Sequence, residues 1–370
     1  MRIALVCPYS LTVPGGVQTQ VLGLARALRT GGDEVAVIGP AEESKIAGRL
    51  DEPALGGALF VKAGAATPIS ANGSRAPVSP WPATMYRTLS ALRAFGPEVI
   101  HLHEPFVPGP SLAAVLRGPR PIVATFHRSG NDIAYRVYGH LVGIWSHRLD
   151  AVVAVSQEAS ATARACIAGL PAHIGIIPNG VEAAAAAPDP WPTSEPTVVF
   201  VGRHEHRKGL EVLLDAFAFL PATTRLWVLG EGPETERLRR RLAPDDRIEW
   251  VGAVDDAERA RRLFGADLFV APSLGGESFG LVLLEAMAAG TAVVASDLPG
   301  YKLAVGGAAC LVPPGDVGAL ARAIGELLGN DAGRKELVVR GLRRAHECDM
   351  AVIAGLYREV YGRLLRAGSE

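Results

Sequence analysis

Leu268-Phe269-Val270-Ala271-Pro272-Ser273-Leu274-Gly275-Gly276-Glu277-Ser278-Phe279-Gly280, then Leu281-Val282-Leu283-Leu284-Glu285-Ala286-Met287-Ala288, then Ala292-Val293-Val294-Ala295-Ser296-Asp297, is the stretch that decides how this chain folds. A short apolar run meets a turn rich in Pro and Gly, the turn opens an apolar helical period, and a second apolar run follows. That order predicts a strand, a helix and a second strand parallel to the first. Gly275 and Gly276 leave backbone amides uncovered, and the first turn of the helix offers unsatisfied N–H groups and positive dipole character to an anion. A diphosphate fits there. Glu277, on the turn, is then free to accept hydrogen bonds from sugar hydroxyls, and Glu285, two turns along, lies near the same face within reach of a ribose. A Gly-capped core helix with two solvated acids is the plainer alternative.

Upstream, Thr197-Val198-Val199-Phe200-Val201 runs into Gly202-Arg203-His204-Glu205-His206-Arg207-Lys208-Gly209 and then an amphipathic helix. Arg203 and Lys208 thereby share one strand-to-helix loop. Each cation contributes about 4 kcal/mol at ~4 Å from a diphosphate charge and an effective dielectric near 20, before desolvation is subtracted. A basic loop left in solvent is the commoner fate of such a pair.

Further outward, apolar runs at 3–6, 35–38, 99–102, 122–125, 151–155, 198–201, 226–229, 268–271 and 292–295 alternate with helical periods. Parallel sheets with helices on both faces follow. A chain of 370 residues, 49% hydrophobic, exceeds the size at which one core keeps growing, so two domains are expected. The run Ala-Ala-Ala-Ala-Ala-Pro-Asp-Pro-Trp-Pro after Glu182 neither packs as a strand nor sustains a helix. It sets a first domain at 1–182, a linker at 183–196 and a second domain at 197–350.

Composition removes several classes. Cys7, Cys166, Cys310 and Cys348 lie far apart without a Cys-x-x-Cys, so neither a zinc site nor a disulfide framework is expected, and a reducing cytosol is the simple reading. The apolar run after Met1 is too short for a signal segment and no eighteen apolar residues run together, so no membrane span is expected. Residues 1–182 carry 15 Lys and Arg against 12 Asp and Glu, the remainder 22 against 26. Nucleic acid is therefore not an expected partner. The mild excess on the first half suits an anionic acceptor or membrane surface, and suits a solvated face equally well.

Gly15 and Gly16 fall between the first strand and helix, where ligands settle in open α/β sheets; a loop needing positive φ is the alternative. Gly230-Glu231-Gly232-Pro233 follows a strand, but Thr235 breaks the dinucleotide fingerprint and disfavours a dehydrogenase. His127 ends a strand and is placed at the carboxyl edge of the first sheet. His101 and His103 beside Glu104 imitate a metal cluster, and a structural role is the reading preferred for them. Asp255-Asp256 stands at a helix start, where carboxylates cap N–H groups.

These stretches, with Cys7-Pro8-Tyr9-Ser10, Val13-Pro14-Gly15-Gly16-Val17-Gln18 and His101-Leu102-His103-Glu104-Pro105, resemble the retaining glycosyltransferases of the GT4 family over nearly the whole chain, and are most similar to the phosphatidylinositol mannosyltransferases. The resemblance implies a GT-B fold, an α/β class of two Rossmann-like domains facing across a cleft, with the segment 351–370 packed back on the first. It implies catalytic roles for His127, Arg203, Lys208 and Glu277. The donor would be bound by Gly16, Arg203, Lys208, Val254, Asp255, Asp256, Gly276, Glu277, Ser278, Phe279, Gly280, Leu281 and Glu285, with Asp255 or Asp256 facing guanine. The acceptor would meet Tyr9, Gly15, Gly16, Gln18, Asn72, Ser74 and Arg75. It further implies GDP-mannose as donor, an anionic lipid as acceptor, front-face attack without a protein nucleophile, and a peripheral enzyme on the inner face of the plasma membrane. No metal ion or cofactor is expected. The helix 82–95 keeps only Arg87 and Arg93 of the family's basic cluster; at about 1 kcal/mol per cation near an anionic bilayer, two or three fewer weaken docking roughly 30- to 150-fold. Trp81, Met85, Tyr86, Leu89 and Leu92 are expected to insert instead. Another nucleotide sugar, a soluble acceptor and a silent sugar-nucleotide binding module stay open as alternatives.

Overall fold

Runs of Val, Ile, Leu and Ala become strands where both faces of a sheet are covered by helices, because β-branched side chains pack well on a pleated surface. The computed structural model describes residues 1–370 except 14, 48–49, 53, 72–73, 129, 131–132, 183–188, 242–244 and 369–370. All nine strands expected from sequence are present, in two separate α/β units.

The first unit takes residues 1–180 and 350–370. It begins β1 (Arg2–Val6), α1 (Gly16–Thr30), β2 (Glu34–Pro40) and β3 (Leu59–Gly64). A separate antiparallel hairpin follows, β4 (Thr67–Ala71) and β5 (Ser74–Val78), then α2 (Pro82–Phe95) and β6 (Val99–His103). α3 (Pro110–Arg117), β7 (Ile122–Phe126), α4 (Ile133–Val142), β8 (Ala151–Ala154), α5 (Gln157–Cys166) and β9 (Gly175–Ile176) complete the sheet. A 3₁₀ turn, Gly143–Arg148, prolongs α4. The seven strands are parallel, in the order β3-β2-β1-β6-β7-β8-β9.

The second unit, 181–349, holds β10 (Thr197–Val201), α6 (Leu210–Phe217), β11 (Arg225–Leu229), α7 (Thr235–Arg241), β12 (Ile248–Gly252) and α8 (Asp256–Gly265). β13 (Leu268–Ala271), α9 (Leu281–Ala288), β14 (Ala292–Ser296), α10 (Pro299–Val305), β15 (Cys310–Val312), α11 (Val317–Gly329) and α12 (Asp331–Glu347) follow. Its parallel order, β12-β11-β10-β13-β14-β15, is that of a Rossmann sheet. The last helix, α13 (Met350–Ala367), packs against α1 of the first unit.

Side-chain alternation decides which core each strand feeds. In β6, Ile100 and Leu102 enter the core shared with α2, α3 and α5, whereas Val99 enters the core under α1 and α13. His101 and His103 share Val99's parity, so this strand turns two histidines toward α13. Trp191, within the expected linker, is bound to the second unit: its N–H donates to the Arg261 carbonyl at 2.9 Å and the Arg262 guanidinium stacks 3.8 Å over its ring. Residues 183–188 of that linker lie outside the described residues.

The strands not read from sequence lack a clean apolar run. β3 carries Lys62, β12 interrupts its pattern with Glu249, and β15 has three residues. In α2, Leu92 is fully buried, contrary to the expectation that it inserts, because it faces the same side as Thr88 and Phe95. Trp81 and Tyr86 are exposed, and Met85 and Leu89 half-buried.

Candidate active site

Two loops of the second unit meet at the carboxyl ends of adjacent strands β10 and β13, and glycine sets how close they come. Gly209 has φ +66, and a Cβ there would lie 1.9 Å from the Pro272 carbonyl oxygen, so no other residue fits without moving the second loop. The Leu274 N–H donates to the Arg207 carbonyl at 2.8 Å and fastens the loops. Their charged side chains converge on Glu277, only 9% exposed, whose Oε1 accepts from Lys208 Nζ at 2.7 Å, Arg207 Nη1 at 3.0 Å and Ser273 Oγ at 3.3 Å. Ser273 is also paired with the Tyr301 hydroxyl at 2.8 Å. Glu205 takes the other charges, Arg203 Nε at 3.0 Å and Arg207 Nε at 3.0 Å.

Glu277 is therefore engaged, not free as the sequence suggested; its partners come from a loop seventy residues upstream that local spacing does not reveal. The group holds three cations (Arg203, Arg207, Lys208) against two carboxylates (Glu205, Glu277), an excess of one positive charge. Directly after it, α9 begins at Gly280, in left-handed geometry (φ 92) and without a side-chain cap among the described residues. Unsatisfied N–H groups and surplus cations at one loop make an anion site. Gly276 (φ 72) sits on this loop, Ser278 and Leu281 are half-buried beside it, and Phe279 is buried in the core. Phe279 thus offers only its backbone to a ligand.

Glu285, in the second turn of α9, pairs through Oε2 with Arg259 Nε of α8 at 3.3 Å. Arg259 also meets exposed Asp256 at 3.2 Å, while Asp255 caps α8 by accepting from the Glu258 N–H at 2.8 Å. Burial raises the Glu285 pKa, with Arg259 pulling it down and Asp256 pushing it further up. Asp256 and Glu285, distant in sequence, thereby stand around one arginine that the sequence did not single out. Val254 is half-buried against the core.

In the first unit the histidines at the ends of β6 and β7 are buried. His101 lies between the Tyr361 hydroxyl (Nδ1, 2.7 Å) and Thr125 Oγ1 (Nε2, 2.7 Å), and Thr125 Oγ1 also meets the Tyr357 hydroxyl at 3.0 Å. His103 Nδ1 is 2.9 Å from His127 Nε2, and these rings stack at 5.2 Å. Burial pushes the His101 pKa down to about 3 and that of His127 to about 4, a hydrogen bond with Asn179 offsetting part of the latter; burial and then the two flanking histidines press His103 well below its ordinary range. His103, His127, Gln20, Asn179 and Tyr357 line a small pocket within this unit.

Beneath His127 lies Glu104, 2% exposed, with φ 47, where a non-glycine residue is strained. Its Oε1 accepts from the backbone N–H of His127 at 2.6 Å and of Arg128 at 2.8 Å. Arg128 in turn stacks 4.2 Å over Tyr135. Nothing in the local sequence separates this carboxylate from a solvated one, and its function of holding a turn was missed.

The remaining expected residues fall into three groups. Gly15 is extended (φ −178), so no positive φ is needed there; a Cβ would instead lie 2.4 Å from Gln18 Oε1. Gly16 is exposed as the first residue of α1, and Gln18 is buried with Nε2 3.4 Å from the Ser10 carbonyl. Tyr9 is half-buried, bridged to Val78, and its hydroxyl pKa is raised well above the ordinary value, by burial first. Ser74 and Arg75 pair in β5 with Ala71 and Ser70, and Asn72 lies outside the described residues. No group of His, Cys, Asp and Glu among the described residues is arranged to hold a metal ion.

Residues 14–185 match the family model described as Glycosyltransferase Family 4, and residues 195–330 the model described as Glycosyl transferases group 1. The phosphatidyl-myo-inositol mannosyltransferase of Mycolicibacterium smegmatis is 38% identical over 379 residues, covering 100% of this chain and 95% of the relative. That of Mycobacterium tuberculosis is 40% identical over 392 residues, covering 100% and 99%. Among solved structures, the sucrose-phosphate synthase of Thermosynechococcus elongatus superposes with a TM-score of 0.76 at 24% identity, covering 99% of each chain, a likeness of fold. With two Rossmann-like units, matches to both family models and full-length relatives at this identity, the chain belongs to glycosyltransferase family 4 and has the GT-B fold.

Proposed function

We propose that this glycosyltransferase moves mannose from GDP-mannose to a phosphatidylinositol-type lipid, with retention of anomeric configuration. The observation that carries the donor half is the convergence of Lys208 and Arg207 on Glu277 at the open N-terminus of α9. The acceptor half is supported by the names of the full-length relatives.

In this reading the diphosphate occupies the anion site, where Arg203 and Lys208 exchange part of their pairing with Glu205 and Glu277 for the incoming phosphates. Glu277 accepts from the mannose hydroxyls, and Glu285, Val254, Asp255 and Asp256 serve the nucleoside. His127 is assigned to the transferred sugar as a neutral imidazole, which donates or accepts a hydrogen bond without adding charge. An acceptor hydroxyl oxygen bonds to the anomeric carbon on the side from which the diphosphate departs, the glycosidic C–O bond breaks, and the hydroxyl proton passes to a leaving phosphate oxygen. Positive charge aimed at that oxygen lowers the barrier. No step is assigned to a metal ion. Tyr9, Gly15, Gly16, Gln18, Asn72, Ser74 and Arg75 are assigned to the acceptor side, and the enzyme works as a peripheral protein on the inner face of the plasma membrane.

Incubation with GDP-mannose and phosphatidylinositol vesicles, read by mass spectrometry for a lipid heavier by one hexose and by NMR for an α-linked product, tests the reading. Turnover of UDP-glucose but not GDP-mannose, or equal transfer to a water-soluble acceptor without vesicles, overturns it. The second outcome is the reading favoured by the sparse basic residues of α2, which has only Arg87 and Arg93.

A further inference from the structure

A helix on the surface of a unit ordinarily turns its polar side outward, and α4 exposes large apolar residues beside Arg136 and His140. Its inner residues Tyr138 and Val142, with Trp145 of the 3₁₀ turn, pack into the core beneath, and Gly139 sits so close to the Cys166 carbonyl that a Cβ would lie 2.5 Å from it. Val137, Leu141 and Ile144, spaced four and three apart, form a stripe on the opposite side and are 60%, 68% and 65% exposed. Single exposed apolar residues are common, but a stripe of three large ones on a short helix is not.

Charge on the surrounding layer narrows what covers it. α2, α3 and α4 with its 3₁₀ turn contain no Asp or Glu. The exposed residues Arg87, Arg93, Arg117 and Arg136 on these helices have no carboxylate partner among the described residues. This is local, because the chain as a whole has a formal charge of −1 and the second unit pairs Arg237, Arg241, Arg247 and Arg262 with carboxylates. The three helices are contiguous: α2 packs on α3, α3 on the 3₁₀ turn, and all feed one core on one face of the sheet.

We infer that α4 and its 3₁₀ turn form a second membrane anchor, with Val137, Leu141 and Ile144 entering the apolar boundary of an anionic bilayer while Arg117 of α3 and Arg136 of α4 meet lipid phosphates. Aliphatic side chains beside snorkelling arginines are the chemistry an anionic interface recognises. The inference rests on the peripheral-membrane part of the proposed function and adds to it a contact independent of α2. It also accounts for docking by a chain whose α2 is short of cations, since the missing charges are replaced by Arg117 and Arg136 on neighbouring helices.

Co-sedimentation of the full chain with phosphatidylcholine vesicles, with and without phosphatidylglycerol, tests it on Leu141→Ser/Ile144→Ser, Arg117→Gln/Arg136→Gln and Tyr86→Ser. The first variant is expected to lower partitioning about tenfold on both vesicle types. The second is expected to lower it about tenfold or more on the anionic vesicles alone, at roughly fivefold per arginine. Melting and donor hydrolysis should stay as in wild type for both. If Tyr86→Ser weakens binding while neither Leu141→Ser/Ile144→Ser nor Arg117→Gln/Arg136→Gln does, the second anchor is wrong and the membrane reading stands. If wild type binds no vesicle, the membrane reading itself falls and this inference with it. A wild-type dimer that Leu141→Ser/Ile144→Ser turns into monomer overturns the inference in favour of a second copy as the occupant.

Discussion

The two units share a parallel Rossmann-type sheet and place polar residues at the carboxyl ends of central strands, β6 and β7 in the first and β10 and β13 in the second, yet they fill those ends with opposite chemistry. In the second unit the group is ionic, five charged side chains joined by contacts of 3.0 Å or less, with the two carboxylates nearly buried and the two arginines more open to water. In the first unit it is buried, with three imidazoles held uncharged by desolvation and one glutamate that accepts from two backbone N–H groups. In the proposed reading a charged ligand portion is answered by paired cations, whereas an uncharged sugar or hydroxyl is answered by desolvated dipoles.

Acid should break the first unit before the second, and this is the largest effect expected. The folded pKa values of His101 and His127, about 3 and about 4, lie below the ordinary value near 6.5. Between these limits the unfolded chain binds protons that the folded chain refuses, so this stability is whole above pH ~6.5 and is lost as pH falls toward 4. The slope is on the order of 1 kcal/mol per pH unit for each buried histidine. Hydrogen exchange should show β6 and β7 opening more on going from pH 7 to 5 than β10 and β13, whose unit holds one buried imidazole among the described residues, that of His204, its pKa also lowered by burial. Equal losses in both units would mean that burial does not hold the first unit's imidazoles below their ordinary pKa.

Lys208→Ala should lower kcat about 10²-fold or more, the scale of one charge-stabilising donor lost. Activity within threefold of wild type would remove Lys208 from the leaving-group site and make its bond to Glu277 merely structural. Glu104→Ala comes next, at about 2 kcal/mol of stability, because two buried N–H groups lose their acceptor, while Glu104→Gln keeps an oxygen there and should recover at least half. Thermal melting separates the two, and an alanine variant as stable as wild type would show that the φ 47 strain outweighs the bonds. The smallest effect is on recognition: Glu277→Gln should weaken GDP-mannose by about tenfold and GDP by less, in line with roughly 1.5–3 kcal/mol per charge-assisted bond partly retained by the amide. Equal losses for both ligands would assign Glu277 to the phosphates.

Much of this was legible in the chain itself, for identifiable reasons. Most of the nine strands read from sequence are apolar on both faces, which gives continuous runs with no competing period, as in residues 198–201. Glycine with a helix period behind it located both the 202–209 and the 275–280 loops. What stayed hidden depends on contacts across long sequence separations. Arg207 looked like one more basic residue of its loop until Glu277 was brought to it, and Arg259 has no local feature that ties it to Glu285. Glu104 is hidden for another reason: its value lies in a buried backbone turn twenty-three residues away. The insertion expected of Leu92 failed because the hydrophobic side of α2 is its core side.

The division of labour between the two units is tested most directly by calorimetry of GDP on wild type, Lys208→Ala and His127→Ala, paired with transfer rates from GDP-mannose. Lys208→Ala should weaken GDP about tenfold or more and also slow transfer. His127→Ala should leave GDP affinity within twofold of wild type, at the roughly 0.4 kcal/mol that such a ratio represents, while transfer falls at least tenfold. Loss of GDP affinity in His127→Ala as large as that in Lys208→Ala, or unchanged affinity in both, would contradict an ionic diphosphate site in one unit and a neutral sugar-directed site in the other.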